Sequence, residues 1–345
     1  MSIDYVTSAS FYSRDKNQVR LISTSITIVI AKVLLLLLFI SNSQAEQLSF
    51  SKKKIEQGYS FHYQWLDFNS EIQSMNFTLS NEGLFERFRD FKSYQKNYAQ
   101  KSIFRAIKKK LRRKPIPGVQ ILYKKDNDHF YIEARGIDKN KVAKAYQTIA
   151  EIEQEVTEQY LSESYYQAFT DHLQNSGMKV NHGNIANNSV ADLKPLKPLI
   201  LDRVSIRNIR KVTNYVLGFV QSIPYSKLES RLTSSGAGFN TPLQLLWENQ
   251  GDCDSKMTLT AALLRALMPR IKMALIFVDD HAFIGINIPA KAGELTINHD
   301  GINYVLGEPT GPATLPLGVL APTSELAINQ GHYTVQTYHE IIVEQ

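Results

Sequence analysis

Cys253 is the only cysteine in the 345-residue chain, and its neighbours restrict how this part of the chain folds. It lies in the segment Gly251-Asp252-Cys253-Asp254, where a Gly-Asp turn precedes an apolar run. The run has helical spacing and ends at a proline: Leu259, Leu263, Ala266, Leu267 and Pro269. The spacing predicts a helix that begins near Cys253. Because the first N–H groups of a helix are unpaired and its dipole is positive there, this position favours the thiolate.

A lone cysteine is also often a small hydrophobic residue of the core. Whether Cys253 has a packing role or a catalytic role is therefore judged from the residues downstream. The sequence predicts two strands, over residues 271–278 and 281–288, joined by an Asp279-Asp280 turn. His281 is the first residue of the second strand. A short third strand over residues 304–306 precedes Glu308. A thiol, an imidazole and a carboxylate placed in this way supply the nucleophile, base and orienting group of a catalytic triad.

The motifs Gly251-Asp-Cys-Asp-x-Lys256, Asp280-His-Ala-Phe283 and Glu308-Pro-Thr310 together resemble the transglutaminase-like (papain-like thiol) superfamily in its bacterial branch. Segments 219–225 and 241–246 add to the resemblance, which covers roughly residues 200 to 320. It implies an α+β fold in which a papain/transglutaminase-like catalytic domain packs the helix bearing the cysteine on an antiparallel sheet. The family more often has Asp where this chain has Glu308.

The resemblance implies a role for each site residue. Cys253 is the expected nucleophile, His281 the general base and Glu308 the group that orients the imidazole. Gln221 matches the position that supplies an oxyanion donor beside the backbone N–H of Cys253, and Trp247 is the competing donor because it is nearer in sequence.

Two aspartates flank the thiol, and their carboxylates would raise its pKa if they lie close to it. Of these two aspartates, Asp254 is the expected cap of the first helical turn. A metal site is the rival interpretation, with Cys253, His281 and one further ligand taken from Asp279, Asp280 or His299. Because this spacing matches no compact zinc pattern, we expect no metal and no cofactor.

Residues 1–45 resemble a targeting segment. Basic side chains precede the apolar run 33–40, and small residues at 41–45 form a signal-peptidase site after Ala45. We expect a cleaved signal peptide and an exported, periplasmic protein, with membrane contact only through this segment. The alternative is an inner-membrane anchor over residues 21–40, in which Lys32 would be costly in lipid.

The rest of the chain divides into three predicted parts. Residues 46–174 are expected to form a small α+β domain, with strands over 58–67 and 71–80, a mostly helical stretch over 84–111, a hairpin over 119–134 and a helix over 138–169. Residues 175–198, rich in Asn, Gly and Pro, are the expected linker. Residues 199–345 form the expected transglutaminase-like domain, with a helix over 205–222 and a loop over 234–238.

Charge excludes one class of partner. The formal net charge of +6 is mild for this length, and nucleic acid would require a concentrated basic face. The densest basic run, residues 108–114, fits a solvated helix end better than an anionic surface site.

Two hypotheses follow from the sequence. The first is an exported enzyme that transfers acyl groups through a Cys253 thioester, by hydrolysis of a peptide or amide bond in preference to cross-linking. Its substrate would be a peptide or protein, with cell-wall peptide as a candidate. The second is a non-catalytic binding or assembly protein of the cell envelope.

Overall fold

The computed structural model describes residues 46–126, 129–229, 238–279 and 281–338. The predicted signal segment 1–45, residues 234–237 of the predicted loop and Asp280 lie outside the described residues. Within the described part of the chain, no helix combines the length and the apolar character that a bilayer crossing requires.

The described residues contain both helices and antiparallel strands, so the predicted α+β class is confirmed. The strands are β1 (Gln47–Ile55), β2 (Gly58–Leu66), β3 (Ile72–Ser80), β4 (Gln120–Asp126), β5 (His129–Arg135), β6 (Tyr166–Thr170), β7 (Ser176–Val180), β8 (Met273–Val278), β9 (His281–Ile286), β10 (Thr296–His299), β11 (Ile302–Gly307) and β12 (Thr334–Tyr338). The helices are α1 (Lys96–Arg113), α2 (Lys139–Glu163), α3 (His182–Leu193), α4 (Leu196–Arg203), α5 (Ile209–Ser222), α6 (Pro242–Glu248), α7 (Cys253–Leu267) and α8 (Pro322–Asn329). A π-helical turn covers Glu82–Glu86.

A five-stranded antiparallel sheet, in the order β10-β11-β9-β8-β12, carries two hydrophobic layers. Side chains alternate between the two faces of a strand. Leu275 and Ile284 therefore join the large core that contains α7. Ile276 and Phe283 point to the other face, where Ile328 of α8 closes a smaller core. The apolar sequences of β8 and β9 are explained by this burial on both faces.

Helix α7 is buried on every side. All of its residues except Asp254 are buried, including the whole of the predicted apolar stripe. It packs against α3, α5, α6 and β9. The prediction of a helix beginning near Cys253 and ending before Pro269 is confirmed.

The N-terminal sheet β1-β2-β3 belongs to the same core as α7. The ring of Phe219 on α5 lies 5.1 Å from Tyr63 and 5.2 Å from Trp65, measured between centroids. The hydroxyl of Tyr63 donates a hydrogen bond to the carbonyl oxygen of Leu246 at 2.9 Å. No gap in the core therefore separates strands β1–β3 from the region predicted as the catalytic domain.

A second, smaller core lies between α1, α2 and the β4-β5 hairpin. Its buried members are Ile107, Leu111, Ala134, Ala145, Ile149 and Val156. The hairpin pairs from Gln120↔Arg135 to Asp126↔His129, close to the predicted bounds.

Residues 175–198, predicted as a linker, instead contain β7, α3 and the beginning of α4. Asn181 caps α3 by accepting a hydrogen bond from the backbone N–H of Asn184 at 3.0 Å. Ile185, Ala186 and Leu193 are buried, and α3 packs on α7. The Asn-rich composition that suggested a linker is in fact a helix cap followed by a helix with one buried face.

Three further expectations in the N-terminal half differ from the structure. Strand β1 was not predicted. The helical stretch over 84–111 is interrupted, and α1 begins only at Lys96. The helix predicted over 138–169 ends at Glu163 because Tyr165 adopts a positive φ of 61° and strand β6 follows.

The shared core predicts cooperative unfolding of the N-terminal sheet and the α7 region. Phe219→Ala removes a fully buried ring between the two, which should lower the free energy of unfolding by about 3–5 kcal/mol. Urea unfolding measured by tryptophan fluorescence and by far-UV circular dichroism should show coincident transitions. Phe130→Ala is the matched control and should cost less, because the ring of Phe130 is only half-buried, beside Phe104. Separate fluorescence and dichroism transitions in the wild type would show that the two regions are independent.

Candidate active site

Cys253 and His281 line one cleft of about 410 Å³. The cleft lies between the N-terminus of α7, the β8-β9 hairpin and the β6-β7 hairpin. The other residues on its walls are Phe169, Asp171, His172, Lys179, Asp252, Asp254, Phe277, Val278, Asp279 and Thr334.

The turn that carries Cys253 is fixed on both sides. Gly251 donates its N–H to Pro224 O at 3.2 Å and accepts at its carbonyl from Ser226 N at 3.1 Å. A Cβ at Gly251 would lie 2.6 Å from Leu245 Cδ1, so no larger residue fits without movement. Asp252 then caps α7 by accepting the backbone N–H of Ser255 at 2.9 Å. The prediction that Asp254 is the cap was therefore wrong, because Asp252 occupies the N-cap position.

The thiol of Cys253 is strongly biased towards its protonated form. Its pKa is raised to about 12, first by burial and then by the nearby carboxylates of Asp254 and Asp252. Backbone N–H groups at the start of α7 act in the opposite direction but with a smaller effect. The expectation that the helix N-terminus favours thiolate is therefore outweighed by burial and by the aspartates.

His281 and Glu308 are hydrogen-bonded. The imidazole Nε2–H donates to Glu308 Oε1 at 2.7 Å. Glu308 is 5% exposed, and its carboxylate also accepts from Ala321 N at 2.8 Å and from the Ser324 hydroxyl at 3.4 Å. Three donors fix this carboxylate, so it can hold the ring of His281 in one orientation.

The cleft includes the end of the central sheet at which β9 begins. His281 begins β9 on the face of Phe283, while α7 packs on the opposite face. Because His281 is the first residue of the strand, its ring lies at the end of the sheet, where it lines the cleft with Cys253. With Nε2–H donated to Glu308, Nδ1 is the ring nitrogen that carries the lone pair.

The side-chain amide of Gln221 is hydrogen-bonded to the backbone of the loop that follows β11. Its side-chain amide donates to Glu308 O at 2.7 Å and to Leu315 O at 2.8 Å, and its carbonyl accepts from Leu315 N at 3.2 Å. Both amide hydrogens therefore bind backbone carbonyls. The structure contradicts the predicted oxyanion role and makes Gln221 an anchor for the loop that follows β11.

Trp247, the competing donor, packs among aromatic rings. Its ring lies 4.6 Å from Tyr59 and 5.1 Å from Phe85, and the ammonium of Lys52 lies 3.6 Å from its centroid. It does not line the cleft of Cys253. For the rival metal site, the described residues contain no group of three or more His, Cys, Asp or Glu side chains arranged to hold an ion.

A buried polar cluster lies behind the thiol, and the sequence analysis missed it. The Thr258 hydroxyl donates to Asp254 O at 2.7 Å, so its oxygen is free to accept from His182 Nδ1–H at 3.1 Å. His182 Nε2 then carries a lone pair and lies 3.5 Å from Asp254 Oδ2. Burial lowers the pKa of His182 to about 3, so the ring is neutral at physiological pH. Desolvation raises the pKa of Asp254, while Lys179 and His281 act to lower it.

Lys256, one turn after Cys253, is fully buried. Its ammonium donates to Ile223 O, next to the segment that holds Gly251. Burial lowers its pKa to about 7, while Cys253 and Asp252 act to raise it. Lys256 therefore fastens α7 to this segment.

No protein-family model, no curated protein and no solved structure gave a match to this chain.

The contacts of Gln221 predict a structural cost. Gln221→Ala leaves the buried carbonyl of Glu308 and half-buried backbone groups of Leu315 unpaired, so the free energy of unfolding should fall by about 2–4 kcal/mol. Gln147→Ala is the control, because Gln147 makes only an exposed hydrogen bond to Glu151. Urea denaturation checks both, and equal stability of Gln221→Ala and wild type would contradict the anchoring role.

The aspartate beside the thiol should limit its reactivity. The pKa of Asp252 is raised to about 7, so its carboxylate is mostly ionised at pH 8 and opposes the thiolate. Asp252→Asn keeps a capping side chain but removes this charge, and should speed alkylation of Cys253 by iodoacetamide at pH 8 about three- to tenfold. Asp279→Asn, on the exposed rim of the same cleft, should leave the rate within about twofold. Equal rates for both variants would exclude the electrostatic effect of Asp252.

Proposed function

We propose that this chain is a thiol enzyme that transfers acyl groups through a thioester on Cys253. The observation that carries the proposal is the buried His281–Glu308 hydrogen bond at the edge of the cleft that also contains Cys253. Glu308 is buried, and its carboxylate accepts hydrogen bonds from three donors. A carboxylate fixed in this way can orient a catalytic imidazole.

In this proposal, His281 Nδ1 accepts the thiol proton as Cys253 Sγ forms a bond to the carbonyl carbon of the substrate. The carbon–nitrogen bond then breaks, and the imidazolium gives its proton to the leaving amine. In the second half-reaction, water attacks the thioester carbonyl carbon while His281 takes a proton from it. The carbon–sulfur bond then breaks, the carboxylic acid leaves, and the imidazolium returns its proton to the Cys253 sulfur. The backbone N–H of Cys253 is one proposed oxyanion donor, and Gln221 is not the other.

Because the pKa of the Cys253 thiol is raised, the imidazole of His281 has to remove the thiol proton during the reaction. Because Cys253 rests as a thiol, proton transfer to His281 has to accompany the attack on the carbonyl. This requirement supports His281 as a general base, in contrast to a preformed thiolate–imidazolium pair.

The wider proposal follows the sequence motifs. The fold would be papain/transglutaminase-like, with α7 bearing the cysteine on the antiparallel sheet. The protein would be exported through residues 1–45 and would hydrolyse a peptide or amide bond, with cell-wall peptide as a candidate substrate. Water is the favoured acceptor over an amine.

One observation favours a second candidate, a non-catalytic binding or assembly protein of the cell envelope. Burial and two adjacent aspartates hold the thiol in its unreactive form, as expected of a cysteine kept only for packing. In that case the His281–Glu308 pair would serve to stabilise the end of the sheet.

Alkylation kinetics discriminate the two candidates because Cys253 is the only thiol in the chain. If His281 is the base, His281→Ala should slow iodoacetamide labelling at pH 7 by at least about tenfold. Glu308→Gln should slow it as well, because the amide can donate to Nε2 and so place the proton on the wrong ring nitrogen.

His299→Ala is the matched control, since His299 lies on β10 beside Asp300 and outside the cleft. It should label at the wild-type rate. Labelling of the wild type that is slow and unchanged by His281→Ala would reject the enzyme and support the binding protein.

A further inference from the structure

The β6-β7 hairpin contributes one wall of the cleft that Cys253 lines, and Lys179 is the cationic residue of that wall. In β7, Lys179 lies opposite Gln167 of β6 and on the same face as Phe169. Its ammonium lies 3.4 Å from the ring centroid of Phe277 on β8 and 4.1 Å from that of Phe169. Two aromatic rings therefore hold this charge in place beside the space that a substrate would occupy.

Within the described parts of the chain, Lys179 has no carboxylate oxygen within 4.0 Å. Two of the acids that line the cleft have other partners. Asp171 accepts from Leu173 N at 2.9 Å and from Asn175 N at 2.7 Å, and Asp254 faces His182. Asp254 acts on Lys179 only at longer range, and burial lowers the pKa of Lys179 to about 8 despite that attraction.

No carboxylate of the described residues lies close enough to pair with this half-buried ammonium, so its charge lacks a direct counterion there. At neutral pH Lys179 is still mostly charged, and its aromatic walls cannot supply the hydrogen-bond acceptors that its N–H groups lack. A carboxylate entering the cleft would supply both the charge and the acceptors. It would lie beside the acyl group presented to Cys253, since the two residues line the same cleft.

We propose that Lys179 is a specificity-determining residue, and that the substrate is a peptide bearing a carboxylate beside the acyl group that Cys253 attacks. This inference rests on the proposed function and adds the substrate class. The carboxylate is either the free C-terminus of the peptide or an acidic side chain.

The test compares two alkylating reagents on the full chain. Iodoacetate and iodoacetamide share a leaving group and differ in one carboxylate, so the ratio of their rates at Cys253 reports the potential in the cleft. Lys179→Met should lower the iodoacetate-to-iodoacetamide ratio about tenfold, because it removes a positive charge close to the sulfur. Lys179→Arg should keep the ratio.

Lys125→Met is the matched control, because Lys125 also lies over an aromatic ring of a hairpin, at 5.7 Å from Phe130, but outside the cleft. It should leave the ratio unchanged. If Lys179 only joins the hairpin to the sheet, both rates will change in parallel and the ratio will not move, which overturns the proposal.

A measurement on the wild type needs no variant to fold and separates the two sources of the carboxylate. Protection of Cys253 against iodoacetamide is compared for acetyl-Ala-Ala with a free C-terminus, acetyl-Ala-Glu-amide and the neutral acetyl-Ala-Gln-amide. At least one anionic peptide should protect at about tenfold lower concentration than the neutral one, and which one does so identifies the source. Equal or better protection by the neutral peptide overturns the proposal.

These results are distinguishable from a failure of the proposed function. That failure appears as equal labelling of wild type and His281→Ala, whereas the ratio between the two reagents can be read even when labelling is slow.

Discussion

The burial of α7 on every side is the constraint on which the candidate site depends. A helix enclosed by α3, α5, α6 and the central sheet cannot shift without disturbing the whole core, so its first residue is held in one place. The same enclosure removes water from the Cys253 thiol and raises its pKa. The burial of α7 thus explains both the fixed position of Cys253 and the low intrinsic reactivity of its thiol. Any catalysis by this thiol would need a base that comes from outside the helix.

Charges around the N-terminus of α7 form a compact arrangement of opposite signs. Asp252 caps the helix, Lys256 lies buried one turn below it, and Asp254 faces a neutral His182. Burial disfavours the charged form of both aspartates and of Lys256, raising the pKa values of the acids and lowering that of the base. The protonation states of the two aspartates and of Lys256 therefore affect how easily the adjacent thiol ionises.

The cleft also joins parts of the chain that are far apart in sequence. The β6-β7 hairpin supplies Phe169 and Lys179, although both precede the region in which all the catalytic motifs were recognised. Strands β1–β3 share the core of α7 in the same way. The N-terminal half is thus part of the structure around the site. The hairpin wall of the cleft could not be assigned from motifs because its residues carry no local chemical pattern.

Local pattern was enough to predict α7, the β8-β9 hairpin and the residues His281 and Glu308, because helical and strand periodicities are properties of neighbouring residues. The cap was placed two residues too late, since Asp252 and Asp254 are equally good caps in sequence and only the backbone conformation distinguishes them. The linker was misread because polar composition resembles a loop until the buried face of α3 has a partner.

The sequence by itself determined the α+β class, the helix that bears Cys253, and the candidates for base and orienting acid, all of which depend on short-range spacing. Tertiary structure alone decided that Gln221 anchors a loop, that Asp252 is the cap and that Lys179 lines the same cleft as the thiol. Those assignments depend on which groups are hydrogen-bonded, which are buried away from water and which lie close to a charged side chain. Such contacts join residues far apart in the chain, and no local pattern encodes them.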